Sequence, residues 1–70
     1  MKTKAEVIEM MKKEKIEYIG LKVKATDRIG MLYHLTPAGN LVDCYSKSVK
    51  KTATFEARIL HDGSQTIVNI

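Results

Sequence analysis

The stretch Ile19-Gly20-Leu21-Lys22-Val23-Lys24-Ala25-Thr26 decides how this chain reads. Ile19, Leu21, Val23 and Ala25 alternate with Gly20, Lys22, Lys24 and Thr26. Successive side chains of extended backbone point to opposite faces, so a period of two marks a half-buried strand. The expectation is a strand over about residues 18–26 with an apolar inner face and a basic outer face.

Before this strand the period is helical. Thr3-Lys4-Ala5-Glu6 fits a capping box, in which the Thr3 hydroxyl accepts a backbone N–H and Glu6 reaches back to the cap. Val7, Ile8 and Met11 then share one stripe, with Met10 on its flank. Lys12, Lys13 and Lys15 suit the carbonyl end of the helix dipole. The spacing predicts a helix over about residues 4–15. It is too short to stand alone in water, so its stripe must cover a sheet.

After the first strand the alternation resumes several times. Asp27-Arg28-Ile29-Gly30 reads as a turn, followed by a strand over about 31–36. Pro37-Ala38-Gly39-Asn40 reads as a second turn, followed by a strand over about 41–48. A fourth strand over about 53–61 has Ala53, Phe55, Ala57 and Ile59 inward and Thr54, Glu56 and Arg58 outward. Asp62-Gly63 is a favoured two-residue hairpin pair, and a fifth strand closes over about 65–70. With Ala38 and Gly39 central in their turn, Leu35 faces Val42, Tyr33 faces Cys44 and His34 faces Asp43. With Asp62-Gly63 as the loop, Ile59 faces Thr66, Ala57 faces Val68 and Phe55 faces Ile70. The fold class expected is α+β in one domain, residues 1–70: a helix and a five-stranded antiparallel meander, open or curled into a small SH3-like or Sm-like barrel.

Seventy residues form a marginal core, since chains of this size rarely gain more than ~3–5 kcal/mol from one apolar cluster. The single cysteine, Cys44, excludes an internal disulfide. One Cys and two distant His do not complete a structural zinc site. Self-association is the remaining support, so a homo-oligomer is expected. No apolar run approaches the ~20 residues of a membrane span. The charged start Met1-Lys2-Thr3-Lys4-Ala5-Glu6 and the lone thiol point to the cytoplasm.

Candidate chemistry is sparse. His34 and Asp43 make the one suggestive polar pair, and no nucleophile stands beside them. Cys44 reads as a buried structural thiol, and His61 as a turn-flanking residue. The scattered glycines build no phosphate loop. These observations argue against an enzyme and imply no cofactor and no metal.

The basic residues carry the functional expectation. Net charge is +4, which favours an acidic partner. Lys22, Lys24 and Arg58 are expected on the outer sheet face, with Lys47, Lys50 and Lys51 on a neighbouring loop and Tyr45 as a stacking ring. Such a surface suits the phosphate backbone of RNA or DNA. The alternative is a protein-binding inhibitor or adaptor acting through a sheet edge. A third reading is a small-ligand sensing or sequestering oligomer.

Two stretches resemble known families in part. Residues 25–36, Ala-Thr-Asp-Arg-Ile-Gly-Met-Leu-Tyr-His-Leu-Thr, look like the first strand and loop of ACT regulatory domains, which bind amino acids. Pro37 and Gly39 interrupt the helix that family places next. Ile16-Glu17-Tyr18-Ile19, Thr26-Asp27, Gly30, His34 and Asp62-Gly63-Ser64 are similar in order to the N-terminal β-grasp region of glutamine synthetases. Two extra residues before Thr26 and a longer spacer before Asp62 break that register.

Overall fold

A computed structural model describes all residues, Met1–Ile70. The order is β1 (Lys2–Thr3), α1 (Lys4–Glu14), β2 (Tyr18–Lys22), β3 (Met31–Leu35), β4 (Leu41–Val42), β5 (Thr54–Phe55), β6 (Ala57–Leu60) and β7 (Thr66–Asn69). The fold is α+β: one helix packed on a five-stranded antiparallel sheet of order β4-β3-β2-β6-β7, with β1 and β5 in a separate two-stranded ribbon.

The helix forms as its sequence dictates. Thr3 caps it, and both halves of the capping box are made: Glu6 N–H to Thr3 Oγ1 at 3.3 Å and Thr3 N–H to Glu6 Oε1 at 3.1 Å. It stops at Lys15, which takes a left-handed φ of 57°. Ile16 N–H then reaches back to the Met11 carbonyl at 3.0 Å. This is a Schellman closure, which satisfies carbonyls the helix end would otherwise leave free. Val7 and Met11 are fully buried from the helix, against Ile19 and Leu21 of β2, Leu41 of β4 and Phe55 of β5. Tyr33 meets Phe55 edge-on with ring centroids 5.2 Å apart, a favoured aromatic geometry.

Several expectations of register and order are corrected. The sheet is not a meander, because β6 pairs with β2 rather than with β4. Nor is it closed, because β4 and β7 are its outer strands. The first strand ends at Lys22 rather than near Thr26. The Asp27 carboxylate accepts from Lys24 N–H at 3.0 Å, and Asp27 N–H donates to Lys24 C=O at 3.0 Å. These bonds fold residues 24–27 into a turn.

The strand expected over 41–48 is cut to two residues for the same kind of reason. Asp43 Oδ1 accepts from Tyr45 N–H at 2.8 Å and Lys47 N–H at 3.0 Å. The chain doubles back so that Ser48 bridges Val42. Cys44 lies on this loop and is exposed, not buried.

Both hairpins are one residue longer in phase than expected. In the first, Leu35 pairs with Leu41 and His34 with Val42. Gly39 N–H donates to Thr36 C=O at 2.9 Å, and Gly39 has φ 87°. A type I turn followed by a left-handed residue makes a three-residue loop, and glycine enters that region without a Cβ clash. His34 therefore does not face Asp43. In the second hairpin Leu60 pairs with Thr66 and Arg58 with Val68, so residues 61–65 form the loop. The Asp62 carboxylate ties it by accepting from Ser64 N–H at 3.0 Å.

The fourth strand is broken at Glu56. Ala57 pairs with Lys22, and Glu56 N–H also donates to the Lys22 carbonyl at 3.0 Å. Two residues opposite one make a β-bulge. The extra residue bends the strand, so β5 leaves to pair with β1. It also reverses the phase: Phe55 points to the core, but beyond the bulge Arg58 points inward and Ile59 outward. Arg58 pairs across to Leu21, and Ile59 to Gly20.

Candidate functional site: a basic groove beside the helix

The reversal redistributes the expected binding residues. Lys22 is only 4% exposed, and its Nζ donates to the Asp27 carbonyl. Lys24 lies beyond the strand, on the exposed loop. Arg58 is on the helix side of the sheet, where its Nη1 is 3.0 Å from both Glu14 oxygens. The three cations expected on one outer face therefore do not share it.

The outer face is apolar instead. Tyr18, His34 and Val42 lie in one row across the sheet. Leu32, Gly20, Ile59 and Ile67 lie in the next. Tyr18 stacks on His34 with centroids 4.6 Å apart. His34 Nε2 sits 3.3 Å from Glu17 Oε1. A Cβ on Gly20 would stand 3.3 Å from both the Ile59 Cβ and His61 Nε2, so glycine permits the close approach there.

Lysines gather elsewhere, along the flank of α1. Lys4, Ile8 and Lys12 fall at intervals of four and share one stripe of the helix. Thr3, Lys4, Ala5, Ile8, Asn40 and Lys51 line an open groove of about 530 Å³. Lys12 extends the same side, since its Nζ lies over Gly39. Lys4 Nζ donates to Val49 C=O at 2.7 Å and Ser48 Oγ at 3.2 Å. Those bonds anchor the loop that carries the exposed Lys47, Lys50 and Lys51. Asn40 Nδ2 donates to the same Ser48 Oγ at 3.2 Å, bracing the groove from its far wall.

No carboxylate lines this groove. The Arg58–Glu14 ion pair and the His34–Glu17 contact lie away from it. Of the seven expected residues, Lys51 lines the groove, and Lys47 and Lys50 stand on its anchored loop. Tyr45 is 74% exposed on the preceding turn, whose Asp43, Cys44 and Ser46 line a hollow with Tyr18 and His34 of the outer sheet face and not the groove. Sequence reasoning missed Lys4 and Lys12, although the i, i+4, i+8 spacing carried the signal.

Three groups titrate away from their ordinary range, and none lines the groove. Hydrogen bonds from Thr3 lower the Glu6 carboxyl. Bonds from Ser64 lower Asp62. Burial raises the Tyr33 phenol. No group of three or more His, Cys, Asp or Glu residues converges in metal-binding geometry. No helix is long and apolar enough to cross a membrane. No known protein family, curated protein or solved structure matches the chain.

Proposed function

We propose that this chain is a non-enzymatic binding module that holds a nucleic-acid strand by its phosphates in the groove beside α1. The observation that carries this reading is the carboxylate-free groove lined by Lys4 and Lys51, with Lys12 over Gly39 beside it. These lysines take part in no ion pair, so they attract phosphate without first breaking one.

The test is anisotropy of a labelled single-stranded oligonucleotide at rising salt. If Lys4, Lys12, Lys50 and Lys51 each neutralise one phosphate, log K falls against log salt with a slope of about −3. Lys12→Glu with Lys51→Glu abolishes the salt-dependent binding. Lys13→Glu, beside Glu9 and Glu14 on the other flank of the helix, lowers it far less. Binding unchanged in the double variant, or no binding at low salt, contradicts the proposal.

A second reading rests on the outer sheet face. Tyr18 and Leu32 are 57% and 48% exposed there, and uncovered apolar surface of this kind marks protein contacts. A protein partner on that face would form a complex that survives salt and is lost on Leu32→Lys.

A further inference from the structure

We infer that two copies of this chain join through the open edge of β7 into one continuous sheet. The two edges of the sheet are treated differently. At β4 the chain covers its own edge: Val49 N–H donates to Leu41 C=O at 3.0 Å, and Ser48 bridges Val42. At β7 nothing pairs beyond the strand.

The direction of the free groups follows from the ladder. Ile70 N–H donates to Glu56 C=O at 2.9 Å. Hydrogen-bonded and non-bonded positions alternate along an antiparallel pair. Thr66 and Val68 therefore turn their amides and carbonyls toward β6, and Ile67 and Asn69 turn theirs to the open edge.

That edge carries none of the devices that keep strands apart. Residues 65–70, Gln-Thr-Ile-Val-Asn-Ile, contain no charged side chain and no proline. All four residues of β7 are exposed, with Ile67 at 45%. Lysine, proline or a bulge is the usual guard on such an edge.

A second copy of the same strand fits it. A two-fold axis at Ile67 sets this residue opposite itself, with two mutual N–H···O=C bonds, and sets Thr66 opposite Val68. No like charges meet. The outward Ile67 side chains abut and extend the apolar row of Leu32 and Ile59 across the joint.

The test is sedimentation velocity from micromolar to millimolar protein, with amide exchange read at Ile67 and Asn69. The wild type is expected as a dimer of twice 7.9 kDa, with both amides protected in proportion to dimer. Ile67→Pro removes an amide that no bond within the chain uses, and Ile67→Lys places a charge opposite its own copy. Both variants are expected as folded monomers with unchanged far-ultraviolet circular dichroism. Should Ile67→Pro fail to fold, Ile67→Lys decides alone. A wild type that stays monomeric leaves the edge to an extended segment of another protein and overturns the inference. A dimer that persists in Ile67→Lys overturns it as well.

Discussion

Arg58 reaches from β6 to Glu14 at the end of α1, with one Nη1 placed 3.0 Å from both carboxylate oxygens. This contact exists because the bulge at Glu56 turns Arg58 toward the helix. The Arg58 side chain is 18% exposed and Glu14 41%, so solvent screens the pair in part. A double-mutant cycle with Arg58→Met and Glu14→Gln is expected to give a coupling of about 0.5–1 kcal/mol in urea unfolding. An Arg58 on the outer face would show none.

The cycle also probes the step at which sequence and structure part. The helix was legible, because Thr3 and Glu6 cap it and Val7 and Met11 repeat its period. The inward set of β2, Ile19 and Leu21, was legible for the same reason. The register was not. One extra residue at the Gly39 loop turns β4 over, one at Glu56 turns β6 over beyond Phe55, and one in the Asp62 hairpin returns Val68 to the inner side. Local hydrogen bonds from Asp27 and Asp43 also compete with strand pairing, which residue alternation does not weigh. The basic site moved with the register: Lys22 and Arg58 left the expected surface. The loop lysines, which depend on no register, stayed exposed.

Tyr33 gives the fold an alkaline limit. Burial holds its phenol proton above the ordinary value of 10.0. The unfolded chain releases that proton near 10, while the folded chain still binds it. Between those values the native state holds more protons, so stability falls as pH rises. Tyr33→Phe is expected to flatten this difference. Urea unfolding of both proteins from neutral pH to above pH 10 checks it, with the loss confined to the alkaline arm. A parallel decline in both would place the effect elsewhere.

The most direct test of the central claim is to follow the backbone amides of the isotope-labelled protein by NMR while a single-stranded oligonucleotide is added at low salt. The account predicts that shifts concentrate at residues 3–12 and 39–51, the walls of the lysine-lined groove, and leave Gly20, Leu32 and Ile59 unmoved. Shifts concentrated on those three sheet residues, with the groove silent, would contradict it.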